Sequence, residues 1–344
     1  MSYRPKWVRR AVFAIATSFL VACATDDVTA PLPPAEGTLT VDASTQWAYV
    51  SLADNAQVTP TPSANESTAW DIAFNATNVT LNGGAAGPGG VQGYCVCQNA
   101  AASGTDVLAM TAASQQGAFD VLTLVPASTL FTSDVLTPAI NGYFTGSGAA
   151  AVADPTKVYL VRLNDSASFA KVHVTQLQSP TATSAGKVTL EYAVQRSSTG
   201  AFEATQTLVV DLTTAGAKSV DLNTGALTTS TTDWDLRLDG FAIRVNGGVS
   251  GPGKAAVSAA TATFAATTTA SVQPESYKTD VYAGVFGTSK YYRYNIAGDN
   301  KISPSFDVFL IKRGNAVYKL QIINYYNATG QPRYITLRYK QIAS

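Results

Sequence analysis

The chain is poor in the side chains that bind metals and shuttle protons near neutral pH. It has one histidine, two methionines and three cysteines among 344 residues. A metal site built on several histidines is therefore excluded. A Ser-His-Asp arrangement would depend entirely on His173. Charge is scarce as well: Asp, Glu, Lys and Arg make up 13% of the residues, with 23 basic against 23 acidic. That is well below an ordinary cytosolic domain. No nucleic-acid recognition motif is present, so no nucleic acid is expected as a partner. After the first two dozen residues no apolar run is long enough to cross a bilayer. What fills the chain is Thr, Ser, Ala, Val and Gly, with hydrophobic residues at 46%. That mixture favours strands and tight turns over helices, and it supplies enough apolar area for real cores.

The first residues read as a processing segment. Arg4, Lys6, Arg9 and Arg10 precede the apolar run Ala11–Leu20, which is too short to span. Leu20-Val-Ala-Cys23 follows and resembles a bacterial lipobox. The resemblance implies a signal peptide over 1–22 and a mature protein held to membrane lipid through acylated Cys23. Arg9-Arg10 also admits a twin-arginine reading, although an ordinary basic segment is simpler. Ala24 after the cysteine resembles lipoproteins sorted to the outer membrane, so an extracytoplasmic, membrane-anchored protein is expected. Residues 23–37 then read as a Pro-rich extended tether. In the remaining chain, residues 23–272 carry 9 basic and 19 acidic side chains, whereas 273–344 carry 10 and 4. Ten of the 16 tyrosines also lie after residue 272. A basic, tyrosine-rich end suits an anionic ligand or an acidic partner surface, or simply charged edge strands that block aggregation.

The same punctuation occurs twice. Trp70-Asp71 is matched by Trp234-Asp235, Asn82-Gly83-Gly84 by Asn246-Gly247-Gly248, and Gly87-Pro88-Gly89 by Gly251-Pro252-Gly253, all 164 residues apart. Thr45–Leu52 reads parallel to Thr205–Leu212, and Lys157–Leu177 to Asp307–Tyr326. A repeat of this length predicts two tandem domains, over 38–197 and 198–344, rather than a solenoid. Each reads as antiparallel β: short alternating runs, polar turns, and a hairpin at Arg313–Ile322 turning on Gly314-Asn315. Ala113–Leu122 is the one plausible helical patch of the first copy. The glycine frame is expected to let the backbone turn through positive φ, with the tryptophan as buried anchor.

The order of a W-D-[IL] strand, an N-G-G-x-x-G turn, a variable stretch, a strand such as Val308–Arg313, and then Y-K-[LV]-[QH]-[IV] resembles the HmuY family of haem-binding bacterial lipoproteins. Ser303–Tyr326 and Asp154–Val161 carry the likeness best. It implies an all-β fold in two tandem HmuY-like domains. It also implies haem, or a related tetrapyrrole, as ligand, held in family members by paired His or Met side chains from loops.

Iron in haem needs a His, Cys, Met or Tyr donor. His173 shares one strand face with Lys171 and Thr175, which suits either a solvent-facing residue or an axial ligand. Gln321 stands at its place in the second copy. Met110 lies in the variable stretch, as core filler or ligand. Tyr291, Tyr292 and Arg293 combine phenols with a cation that could pair with propionates, or they fill a β face. Cys95 and Cys97 point the same way along a strand. A disulfide comes first for them, then two small buried hydrophobes, then thiolates on a metal or haem. Gly247–Gly253 does not fit G-x-S-x-G, and Gly87–Gly93 does not fit G-x-G-x-x-G, so no enzyme is expected. The expected function is haem or tetrapyrrole binding. The alternative is a structural lipoprotein that docks on a membrane protein complex through its basic, tyrosine-rich second domain.

Overall fold

Short alternating runs closed by Gly, Asn and Asp pairs can bury one face only by stacking sheets. The computed structural model describes residues 36–181, 186–197, 200–212, 216–270 and 276–343, and its paired strands are antiparallel. The leader, Cys23 and most of the proposed tether lie outside the described residues. The tether reading was too long at its end, because strand Glu36–Asp42 already includes Glu36 and Gly37.

Two five-stranded sheets repeat one pattern. The first runs Glu36–Asp42, Pro332–Ala343, Ala316–Tyr326, Val308–Arg313, Gln92–Cys95. The second runs Gln206–Asp211, Lys187–Gln195, Phe169–Gln178, Val158–Arg162, Ala256–Ala259. Each packs on a four-stranded sheet, drawn from 48–81 in one case and 218–245 in the other. The predicted Gly314-Asn315 hairpin is present, with Arg313 opposite Ala316. The helical patch shrinks to Gln116–Asp120 (α2), preceded by Gly104–Ala109 (α1), which Ser103 caps in a reciprocal Ser–Asp capping box.

The two sequence copies do not coincide with the two cores. One core takes Val41–Val91 together with Val285–Tyr339; the other takes Ile140–Val257. Strand Lys187–Gln195 of the first copy pairs with Gln206–Asp211 of the second, straight across the predicted 197/198 boundary. Each core therefore joins the N-terminal half of one copy to the C-terminal half of the other. We call them the outer body (36–131 with 285–343) and the inner body (139–260). The chain crosses between them twice, along strands Val135–Thr137 and Val281–Ala283. These lie antiparallel with Leu136 opposite Tyr282. The geometry is that of a domain swap within one chain.

The repeated motifs have repeated jobs. The Asn82 side-chain amide donates to the Ser67 and Trp70 carbonyls and accepts from Gly89 N–H; Asn246 does the same with Thr232, Trp234 and Gly253. Gly84 and Gly248 sit at φ +63 and +64, as the turn requires. Gly87 and Gly251 are needed for space rather than φ: a Cβ there would collide with the Asn82 or Asn246 side chain and crowd the Trp70 or Trp234 ring. Asp134 and Asp280 repeat at the crossovers. Asp134 Oδ2 accepts from Thr80 Oγ1 (2.6 Å) and Leu81 N–H, while Asp280 accepts from Val245 and Ala139 N–H.

The upstream alignment is corrected. Val50 and Val220 are the equivalent residues, each accepting the Asp71 or Asp235 N–H at 2.8 Å. Strand Gln206–Asp211 instead occupies the place of Glu36–Asp42, each at the edge of its five-stranded sheet.

Candidate functional site

The crossover creates a cleft that neither body has alone. Two adjoining hollows of about 360 and 320 Å³ share Trp47, Thr80, Gly248, Val249 and Tyr282. Trp47 and Tyr49 stand two apart at the start of strand Ala48–Ser51 and so point the same way. The Tyr49 ring meets Trp70 edge-on, with centroids 5.1 Å apart. Trp70 is itself pinned by its indole N–H donating to the Ala64 carbonyl at 3.1 Å. Tyr282 comes from the crossover strand, and Val249 from the repeated glycine turn of the second copy. Exposed Lys290 stands at the rim beyond Phe286.

Burial dominates the electrostatics here. It pushes the Tyr49 phenol up, and the neighbouring Tyr282 adds to this. It also pushes up Tyr282, with Arg244 opposing and Asp134 reinforcing. Asp280 is raised by burial against the hydrogen bonds it accepts. The cleft thus offers neutral aromatic faces with one cation at the margin, which suits flat, apolar rings bearing an acidic group. A broader groove of about 850 Å³ beside Lys157, Tyr159 and Lys278 runs along the inner body, but it has no comparable aromatic walls.

The residues nominated from sequence do not converge on this cleft, nor on one another. His173 is buried at 8% exposure, not solvent-facing, because the segment 260–270 covers that strand face as a third layer. Its ring stacks on Phe264 with centroids 4.2 Å apart. Its two nitrogens face the Pro155 carbonyl (2.9 Å) and Glu191 (3.0 Å), so neither is free for a metal. Register does confirm Gln321 as its counterpart, since His173 pairs with Val158 and Gln321 with Val308. Met110 is the half-buried residue closing α1. Tyr291 is 2% exposed inside the outer core, where burial, then Tyr325 and Tyr292, drive its phenol strongly upward and away from phenolate. Tyr292 packs edge-on against it. Arg293 is spent on the Ala100 carbonyl at 3.0 Å. Cys95 and Cys97 form a disulfide. No cluster of three His, Cys, Asp or Glu among the described residues is placed to hold a metal ion.

Part of the basic, tyrosine-rich end is interior, while Lys278, Lys290, Lys301, Arg333 and Lys340 stay exposed. Tyr291, Tyr318, Tyr325 and Tyr339 are buried, as are Lys319 and Arg338. Lys319 donates to the carbonyls of Phe119 (2.7 Å), Asp120 (3.0 Å) and Leu122 (3.1 Å). Lys171, its counterpart, donates to those of Phe264 (2.8 Å) and Thr267 (3.0 Å). Sequence reasoning missed Trp47, Tyr49 and Tyr282 as site residues. The signal available for the first two was two aromatics at period 2 beside a strand start. Tyr282 had none, because its place depends on the crossover.

No curated protein sequence matches the chain. A protein of Bacteroides vulgatus described as HmuY-like and haem-binding is 11% identical, with a TM-score of 0.33 over 89% of this chain and 91% of that one. A lipoprotein of Bacteroides fragilis gives 13%, 0.33, 89% and 88%. The apo HmuY analogue of Tannerella forsythia gives 10%, 0.36, 90% and 97%. The family model described as HmuY protein matches residues 43–192 and again 205–339, one match for each sequence copy. The chain therefore belongs to the HmuY protein family, carrying two copies of its unit.

Proposed function

We propose that the protein is a non-catalytic, extracytoplasmic lipoprotein, acylated at Cys23, that binds a tetrapyrrole in the crossover cleft. Family membership supports the ligand class, and the lipobox-like Leu20–Cys23 supports the anchor. The observation that carries the site is the convergence of Trp47, Tyr49 and Tyr282 on one hollow, with Lys290 at its edge. The fit to haem divides. Two of the donors nominated for the iron are taken: His173 is engaged on both nitrogens, and Tyr291 is sealed in the core. The phenols that do line the cleft, Tyr49 and Tyr282, are held protonated by burial. The porphyrin plane and its carboxylates, by contrast, match stacking faces and a rim cation.

Parallel titrations with ferric haem and with iron-free protoporphyrin IX test this. Both ligands are expected to bind with similar affinity and to quench tryptophan emission. Trp47→Ala should weaken both about tenfold, the loss of one aromatic stacking contact. Failure of both ligands to bind would overturn the proposal. So would binding of haem alone that His173→Ala abolishes, because the iron would then be held axially.

A further inference from the structure

The variable stretch of the first copy lies across the open face of the outer body's five-stranded sheet. The three carbonyl contacts of Lys319 hold it there, together with Arg338 donating to the Ala112 carbonyl (3.0 Å) and to Gln116. Leu122 packs inward beside Val317 and Ile342. Its neighbours face outward: Val121 is 79% exposed, Leu124 81% and Val125 40%. Val121 and Leu122 border a largely apolar hollow of about 280 Å³ formed with Val96, Gln98, Ala118 and Val308.

The fold does not require this apolar loop. The matching segment of the second copy is held on the inner body by Lys171 in the same way, yet Thr261–Ala270 is all Thr and Ala apart from Phe264, which stacks on His173. Among its described residues it exposes no large hydrophobic side chain.

Register shows what lies beside the loop. Glu36, where the described chain begins, is opposite Lys340, and Lys340 is opposite Lys319. Residues opposite one another in antiparallel strands share a face, and Lys340 confirms this by pairing with Glu36 at 2.7 Å. The start of the body thus stands two strand spacings, about 10 Å, from the lysine that holds Leu122. Twelve residues, 24–35, separate Cys23 from Glu36. Even fully extended they reach about 40 Å. We propose that Val121, Leu124 and Val125 dip into the lipid surface to which acylated Cys23 tethers the protein, so that the outer body docks by this loop. A lipid anchor and an apolar loop on one face are two membrane signals that reinforce each other.

The inference rests on the lipoprotein reading, and the test separates the two. Mass spectrometry of the native product reports whether Cys23 carries lipid. Leu124→Cys supplies one free thiol in the acylated protein, since Cys95 and Cys97 are joined. A polarity-sensitive dye on that thiol, with the protein in phosphatidylethanolamine–phosphatidylglycerol vesicles, should shift to the blue and be quenched at least twofold by spin-labelled lipid. The same dye on Leu227→Cys, half-exposed on the inner body, should report water. An acylated protein whose Leu124 dye stays in water overturns the docking and leaves the anchor standing. An unacylated Cys23 overturns the anchor and the docking with it. A dye shielded by a co-purifying protein but not quenched by lipid also overturns it, in favour of a protein partner.

Discussion

The two copies treat one aspartate differently, and stability against pH should reveal it. Asp71 in the outer body accepts the Leu52 N–H at 2.7 Å and pairs with the Arg313 guanidinium at 2.9 Å. Asp235, its counterpart, accepts the Leu222 N–H at 2.8 Å and the Asn164 N–H at 2.7 Å, both neutral donors. It is 2% exposed. Burial raises its carboxyl from 3.8 to about 6, and the two N–H bonds only partly offset this. A carboxyl with a raised folded-state pKa binds its proton more tightly folded than unfolded. Its stabilising share is therefore complete below about 3.8 and is lost as pH rises through about 6. The whole share is worth about 3 kcal/mol at low pH, of which roughly 2 kcal/mol disappears between pH 4 and pH 7.

Asp235→Asn removes the titration. The variant loses stability at low pH, because its amide must set a donor against one of two N–H groups, an expected cost of about 1–3 kcal/mol. It regains ground as pH rises, so the gap between wild type and variant should narrow by roughly 2 kcal/mol from pH 4 to pH 7. Denaturant unfolding followed by ¹⁹F resonances of fluorotryptophan reads this locally. Trp234, buried next to Asp235, reports the inner body, while Trp70 reports the outer one. A gap that stays constant across the pH range, or that moves at Trp70 rather than Trp234, would refute the argument.

Two further outcomes are expected. Arg313→Ala leaves Asp71 buried without its cation; because Arg313 is itself partly exposed, the cost should be about 2 kcal/mol rather than the full penalty of a buried pair, seen as lost denaturant resistance at Trp70. Lys319→Met strands three carbonyls and Lys171→Met two, so the first should cost about 3 kcal/mol in the outer body and the second about 2 kcal/mol in the inner, and hydrogen exchange should rise in the covering segments 112–122 and 263–270 respectively.

The β class, the doubling and the tryptophan–glycine frame were legible because each motif residue has a local task that recurs in each copy. Asn82 and Asn246 make matching bonds, and Gly87 and Gly251 leave room for the same neighbours. The faces of the long strands were not legible. Lys171 and His173 alternate with apolar residues, as a solvent-facing strand face would, but a third layer covers them and satisfies Lys171 with backbone carbonyls, as it does Lys319 in the other body. That layer comes from segments too irregular for any period to flag. Tyr291 and Tyr292 stand as candidate ligand contacts for the complementary reason: phenols in a β core look the same in sequence as phenols at a rim.

The partition into bodies escaped for a deeper physical reason. Two near-copies present near-identical half-interfaces, so the hydrophobic pattern that tells Lys187–Gln195 to accept an edge strand does not say whose. Either Glu36–Asp42 or Gln206–Asp211 satisfies it, and the structure uses the latter. What decides is the short path between the halves. Asp134 is held in the outer body by Thr80 and Leu81, yet five residues later Ala139 is bound to Asp280, which Val245 of the inner body also holds. The intervening Val135–Thr137 is extended and paired, so it carries the chain across instead of letting it fold back. The equivalent strand Val281–Ala283 does the same in reverse, and pairing the two satisfies the backbone groups that face each other across the ribbon. Because Tyr282 sits at the centre of that ribbon and Val249 belongs to the other body's turn, the aromatic cleft is a product of the exchange. An unexchanged pair of units would keep Trp47, Tyr49 and Trp70 but would have no crossover ribbon to close the hollow over them.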